Sequence, residues 1–300
     1  MQNKKNKVAV LLATYNGEKH IGTQLQSIAA QKNVVVSLFV SDDQSTDSTQ
    51  SLLNKNYLKN ITLTVLPSTR LGGAAANFFR LLRIVNFSDV DYVAFADQDD
   101  IWDFNKLSTA ILKIEEEEVD AYSGNVTAFW PNGEKRLIKK SQPLKRWDFL
   151  FESAGPGCTF VLTKNLALEI QKFLNKNEQT TSSIDLHDWF IYAFARSHGY
   201  KWFIDEQSFM LYRQHHANAM GANIGLRAKI KRIKRLTNGW YINQIISLAE
   251  LLEMDHGFPV KQLKRLNLID RLLLISNIRQ FRRKFWDSIA LVLIFLLPKK

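Results

Sequence analysis

Three carboxylates stand within four positions, Asp97, Asp99 and Asp100, directly after the apolar run Tyr92 to Ala96. Like charges at that density repel one another, so they persist either in open solvent or around a cation. Hard divalent ions such as Mg2+ and Mn2+ select carboxylate oxygen, take few protein ligands and complete their shell with phosphate and water. A D-x-D spacing at a strand end lets two carboxylates address one ion, which suits a metal–diphosphate complex. An Asp-rich turn in solvent is the plain alternative. A second pair, Asp42 and Asp43, closes another β-branched run, residues 34–43.

Farther along, Asp188 opens an apolar helical pattern that ends at Gly199. The helix dipole there favours the ionised carboxylate. Asp188 reads as a general base or as a helix cap, with Asp185 a competing cap. Arg213 and His215 in "YRQH" can hold a diphosphate or complete a metal shell. Trp102, Trp189 and His187 suit either an acceptor pocket or buried packing. Cys158, beside Gly155 and Gly157, reads as a small core residue. A single cysteine excludes an internal disulfide and zinc-finger chemistry, which favours a reducing compartment.

These groups need a scaffold to bring them together. Residues 8–14 form a short continuous apolar run, the pattern of a strand covered on both faces. A helix-compatible stretch follows over 18–31, then a strand over 34–43. A helix capped at Ser45 or Thr46 comes next, then a strand at 61–67, a helix after Gly72–Gly73 and a strand from Tyr92. This alternation predicts a doubly wound α/β sheet, in which ligands bind at the carboxyl ends of strands. Strands are also expected at 120–130, 157–163 and 202–216, and a helix at 187–199. From Gly225 onward the pattern is helical. Three hundred residues suit one large α/β domain with an appendage, or two domains, and an apolar fraction of 46% supplies a full core. The N-terminus is basic and then apolar, but "VAVLLA" is too short for a signal sequence, so it reads as a first buried strand with no export.

Charge is unevenly spread. Residues 221–300 hold 16 Lys and Arg against 5 Asp and Glu, a net +11 that equals the whole chain's, so residues 1–220 are neutral. Such a tail can meet nucleic acid or an anionic membrane. Its Leu- and Ile-rich composition lacks the stacking pattern of RNA readers, which argues against nucleic acid. The last apolar run, Ile289 to Leu297, has nine residues. A membrane span needs roughly 20. Flanked by "RQFRRKFW" and "PKK", it reads as a helix lying in the membrane interface or as one docked on the protein's own core.

Five ordered segments resemble the inverting nucleotide-sugar transferases of glycosyltransferase family 2, which have the GT-A fold. They are "LLATYNGEKHIGTQLQSIAAQ", "FVSDDQSTDST", "RLGGAAANFFRLL", "ADQDDIW" and the later set "GPGCTFVLTKNL", "HDWF" and "LYRQHHANAMG". The later set is most similar to the bacterial branch that adds rhamnose from dTDP-rhamnose to lipopolysaccharide or capsule precursors. The resemblance spans about residues 7 to 222. It implies a catalytic domain over 1–222, with a Rossmann-like, mostly parallel sheet flanked by helices. Residues 223–300 would be a basic helical appendage.

By the same resemblance Ala13, Tyr15 and Glu18 lie in the loop holding nucleobase and ribose, and Asp43 takes a pyrimidine N3–H. Arg70 and Arg213 contact the donor, Asp97 and Asp99 hold Mg2+ or Mn2+ and the ribose-diphosphate, and Asp188 is the base. His215 is a further metal candidate. The implied partners are a dTDP- or UDP-sugar, a glycan or lipid-linked acceptor, and an anionic membrane on the cytoplasmic side. Gln44 stands where the family usually has glycine. A UDP-hexose transferase, a sugar nucleotidyltransferase and a non-catalytic membrane-binding scaffold are the competing readings. The second lacks a glycine-rich, Arg/Lys-bearing loop near the N-terminus, and the intact D-x-D and "HDW" speak against the third.

Overall fold

The computed structural model describes residues 5–54, 61–214 and 239–297. The first third alternates as its pattern predicts: β1 (Asn6–Thr14), α1 (Ile21–Ala29), β2 (Val34–Asp42), α2 (Thr49–Leu53), β3 (Thr62–Val65), α3 (Ala74–Ile84) and β4 (Tyr92–Ala96). β1 lies between β2 and β4, parallel to both. Helices cover both faces, so Val8 through Leu12 are wholly buried, which is why that run is apolar without alternation.

The middle of the chain holds β5 (Ile101–Trp102), α4 (Lys106–Glu116), β6 (Ala121–Gly124), β7 (Val126–Phe129) and β8 (Lys135–Ile138). It continues with α5 (Asp148–Phe151), a 3-10 turn (Gly157–Thr159), β9 (Val161–Thr163), α6 (Lys164–Lys176), α7 (Glu178–Thr181) and α8 (His187–Ser197). β10 (Trp202–Asp205) and β11 (Met210–Arg213) follow, and then the helices α9 (Trp240–Leu251), α10 (Val260–Arg265), α11 (Leu268–Ser276) and α12 (Phe285–Leu296).

The strands form a seven-stranded sheet, β10-β6-β9-β4-β1-β2-β3, and a four-stranded one, β5-β11-β7-β8. In the larger sheet only β9 runs antiparallel to its neighbours. The architecture is therefore a mainly parallel α/β sheet flanked by helices, with the small sheet beside it.

Two expected strands each divide. Residues 120–130 become β6 in the large sheet and β7 in the small one, and 202–216 divides the same way into β10 and β11. Asn125 sits at the crossing. Its backbone N–H donates to Asp205 O at 3.2 Å and its side-chain amide to Glu206 O at 2.6 Å. Its Oδ1 accepts from the backbone of Lys140 at 2.6 Å. Backbone groups that leave one ladder before entering the next need such partners. A third difference is that α2 begins at Thr49, not at Ser45 or Thr46. Ser45 is engaged elsewhere: its hydroxyl accepts from Asn16 N–H at 2.9 Å and its N–H donates to Asp42 at 3.0 Å.

The C-terminal helices share one hydrophobic cluster with the sheet and its helices: Tyr241, Ile245, Leu274, Phe281 and Phe295 pack with Phe78, Phe160 and Phe190. Each fully buried aromatic of this kind contributes about 1.5–3 kcal/mol. α12 docks on the protein's own core along one side, the second of the two sequence alternatives. Leu291, Ile294 and Phe295 face the core, while Phe285, Trp286, Ile289, Leu293 and Leu296 are exposed. Among the described residues no helix is long and apolar enough to cross a membrane.

Candidate active site

The carboxyl ends of β1, β2 and β4 meet at one edge, where Thr14 pairs with Asp42 and Leu12 with Ala96. Gln98, the residue splitting the aspartates, ties that edge together. Its Oε1 accepts from the Thr14 hydroxyl at 2.6 Å and from Tyr15 N–H at 2.8 Å, and its Nε2 donates to Tyr15 O at 3.1 Å. A Cβ on Gly17 would stand 2.5 Å from the same Oε1, so a larger residue here would displace the Gln98 amide from this edge.

Asp42 is buried and accepts from Ser45, Gln50 and Ser68, the last two at 3.0 Å. Asp43 accepts the backbone N–H groups of Leu71 and Gly72 and so anchors the loop before α3. Arg70 donates to Asp43 O at 3.0 Å and lies 4.4 Å over the exposed Tyr15 ring. Ala13, Tyr15, Asp43 and Arg70 are thus brought together. The Glu18 carboxylate accepts from Ser48 N–H at 3.0 Å, at the start of α2.

The D-x-D turn is gripped by Arg213 from β11. Its Nε donates to Asp99 O at 2.8 Å and its backbone N–H to Asp100 Oδ1 at 3.2 Å, while its guanidinium lies 4.5 Å over Phe129. Asp100 is fully buried and turned inward, which gives the third aspartate its place: it holds the turn from beneath. Among the described residues its Oδ2 has no hydrogen-bond partner, and burial, with the Asp97 and Asp99 charges, raises its pKa well above the ordinary carboxylate range.

Ligating atoms of Asp97, Asp100 and Cys158 lie within 4.8 Å of one another. Cys158 is therefore more than core filler, since its thiol sits among these carboxyls and burial, with the Asp100 and Asp97 charges, raises its pKa well above normal. Lys106 backs this cluster, 3.7 Å over Trp102, its pKa lowered by burial to about 8. Burial, then the Asp99 charge, push Asp97 up to about 7. A hard divalent cation would relieve that clustering of carboxylate charge, and the ligating atoms gathered here are those of Asp97, Asp100 and Cys158, without Asp99. His215, the other metal candidate, lies outside the described residues.

Asp188 is 91 positions from Asp97, yet its charge adds to the forces raising Asp97. It sits in the first turn of α8, where Trp189 N–H donates to its Oδ1 at 2.7 Å. It does not cap the helix: the cap position is Leu186, and Asp185 accepts from Trp240 Nε1 at 2.6 Å. Burial outweighs the helix dipole and raises Asp188 to about 6, against lowering contributions from Trp189 N–H, Lys140 and the Ser153 hydroxyl. Its neighbour His187 stacks on Phe78 at 4.0 Å, and burial lowers its pKa to about 3, so the ring is neutral. Trp102 and Trp189 are buried, and Trp189 Nε1 donates to Phe149 O at 2.9 Å, which is packing.

Gln98, Lys140 and Ser153 were not singled out from sequence. Gln98 carried a signal, an uncharged amide inside an acidic turn at a strand end. Lys140 and Ser153 carried none, because both reach Asp188 from chain segments far from it.

The sequence model of the family described as Glycosyl transferase family 2 matches residues 9–176. The chain is 42% identical to the dTDP-rhamnosyl transferase RfbG of Shigella flexneri over 288 residues, covering 95% of this chain and 99% of the relative. It is 30% identical over 112 residues, 37% of this chain, to the UDP-Glc:alpha-D-GlcNAc-diphosphoundecaprenol beta-1,3-glucosyltransferase WfaP of Escherichia coli, covering 43% of that protein. Among solved structures, S. aureus TarS 1-349 in complex with UDP-GlcNAc superposes with a TM-score of 0.54 at 19% identity, covering 95% of this chain and 84% of that one. The mannosyltransferase PcManGT from Pyrobaculum calidifontis, in complex with GDP-Man and Mn2+, gives 0.55 at 15% identity, covering 98% and 85%.

Proposed function

The chain belongs to glycosyl transferase family 2, and from that premise we propose that it is an inverting rhamnosyltransferase, moving L-rhamnose from dTDP-rhamnose to a hydroxyl of a lipid-linked cell-surface glycan. The observation that carries this reading is the whole-length likeness to a dTDP-rhamnosyl transferase, 42% identity over 95% of the chain. The charge of Asp188, in the first turn of α8, is felt at Asp97, which supports a base and a donor-binding carboxylate sharing one site.

In a single displacement the acceptor oxygen bonds to the anomeric carbon as the bond to the diphosphate breaks on the opposite face. Asp188 takes the acceptor's proton. With its pKa at about 6 it is ionised at neutral pH, yet a stronger base than an ordinary carboxylate. Asp97 and Asp99 would hold Mg2+ or Mn2+, which when bound neutralises charge on the leaving diphosphate. Arg213 holds the turn that presents them. Arg70 and Tyr15 form one wall for the nucleoside, and Asp43 retains acceptor capacity for a pyrimidine N3–H beyond the two amides it already binds. Uracil and thymine share that N3–H, so this contact leaves a UDP-sugar as the second reading. The whole-length relative favours dTDP.

The protein would work at the inner face of the cytoplasmic membrane, docked by α11 and α12. Arg271 donates to Phe295 O and Leu297 O and sets these two helices antiparallel. Leu268, Ile269 and Leu272 on α11 and Phe285, Trp286 and Leu293 on α12 leave a large apolar face exposed. An exposed face of this size within a segment of net charge +11 suits an anionic bilayer.

The test is a panel of dTDP-rhamnose, UDP-glucose and UDP-GlcNAc, each with Mn2+ and a polyprenyl-diphosphate-linked sugar, followed by mass spectrometry of the glycan. A deoxyhexose increment from dTDP-rhamnose alone is expected. Transfer only from a UDP-sugar would reassign the donor.

A further inference from the structure

The loop from Glu152 to Gly157 joins α5 to the turn facing Asp188. Its two glycines leave the backbone permissive, and within the loop only Pro156 and the Ser153 Oγ–Gly155 O bond restrain it. It is held instead from the far end of the chain. Arg283, wholly buried at its side chain, donates through Nη2 to Ser153 O at 2.7 Å and through Nη1 to Asp148 Oδ2 at 3.1 Å. Its backbone N–H donates to Glu152 Oε1 at 2.6 Å. Arg282 donates to Phe151 O at 2.9 Å. The last carbonyl of α5, Phe151 O, is thus shared by Arg282 and the Tyr241 hydroxyl, and Arg283 takes the Ser153 carbonyl two residues beyond the helix. Glu152 Oε2 lies 3.6 Å from Arg283 and 3.7 Å from Arg282, which balances the charge.

Beyond this clamp the loop turns toward the base. The Ser153 hydroxyl donates to Gly155 O at 2.9 Å, and its presence near the Asp188 carboxylate lowers that group's pKa. Gly157 then packs beneath α8, where a Cβ would lie 3.2 Å from Asp188 Cβ.

We propose that Arg283 is a positioning residue of the transfer reaction: by gripping the Ser153 carbonyl it fixes the Ser153 hydroxyl and Gly157 against Asp188. The C-terminal helices are then part of the catalytic apparatus as well as of the core. This inference rests on Asp188 being the base. Displacing a base by about 1 Å can cost a hundredfold in rate, which sets the scale a slackened clamp can reach.

The test is a kinetic cycle of Arg283→Lys, Ser153→Ala and the double variant, with melting temperatures measured alongside. Arg283→Lys is expected to lower kcat about tenfold or more while donor KM stays within about twofold. The double variant should be no slower than the slower single, because both break one link. Losses that multiply, a kcat equal to the wild type's, or a donor KM that rises as kcat falls would each overturn the proposal. If Arg283→Lys does not fold, Glu152→Gln, which keeps both arginines, replaces it in the same cycle and is read the same way. Asp188→Asn separates the two levels. Full turnover by that variant removes the base assignment, whereas its inactivity with multiplicative losses removes only the role of Arg283.

Discussion

Gly157 presses against His187 so closely that a Cβ on the glycine would stand 2.5 Å from His187 Nε2. His187 cannot retreat, because its ring is stacked on Phe78 inside the core. Gly157→Ala must therefore shift the start of α8 and Asp188 with it. A stability loss of about 1–3 kcal/mol is expected for such overpacking, with kcat falling further than stability explains. Denaturant unfolding and steady-state kinetics on one preparation check both.

Asp188→Asn should retain donor binding and lower kcat by about 10²–10⁴-fold. It should also raise the melting temperature. A carboxyl whose folded pKa lies above its unfolded value holds its proton more tightly when folded, so its ionised form opposes folding above about pH 6. An amide removes that charge. Calorimetry at pH 8 against pH 5 measures it: the stabilisation should appear at pH 8 and shrink at pH 5.

The same shift sets the pH profile. The base must be ionised, so kcat/KM should fall as pH drops below about 6 and level off above it. The Ser153 hydroxyl lowers the Asp188 pKa, so Ser153→Ala should move this acid limb to higher pH. A limb that stays in place would show that the hydroxyl does not touch the working base.

Asp99→Asn should abolish the Mn2+ dependence of dTDP affinity while leaving metal-free affinity nearly unchanged. Titration calorimetry with and without Mn2+ reads both. Equal Mn2+ enhancement in wild type and variant would remove Asp99 from the metal site.

Trp286→Glu combined with Leu293→Glu should release the protein from anionic vesicles in a flotation assay and leave turnover of a water-soluble acceptor intact. Both side chains are exposed, so folding should be unaffected. Continued flotation would mean that another surface carries the attachment.

Much of the catalytic half was legible because each strand reports its own surroundings. β1 is apolar from Val8 to Leu12 since it is covered on both faces, and the aspartates at the ends of β2 and β4 meet at one edge of the sheet. Local pattern did not reveal which sheet a strand joins. Residues 120–130 read as one strand, but the crossing at Asn125 depends on Asp205 and Glu206, some 80 positions away. The environment of Asp188 was hidden for the same reason. The helix dipole is a local property and pointed to an ionised carboxylate, whereas the enclosure that raises its pKa comes from distant segments.

The union of Arg282 and Arg283 with Glu152 bears on how such enzymes can be recombined. A chimera that grafts the last helices of one transferase onto the sheet of another, in order to change its membrane or acceptor preference, would separate two arginines from the carboxylates and carbonyls they serve. Buried guanidinium groups would be stranded on one side and a loosened loop left on the other. Exchanges at this junction should carry residues 148–153 together with 281–287 as one inherited unit.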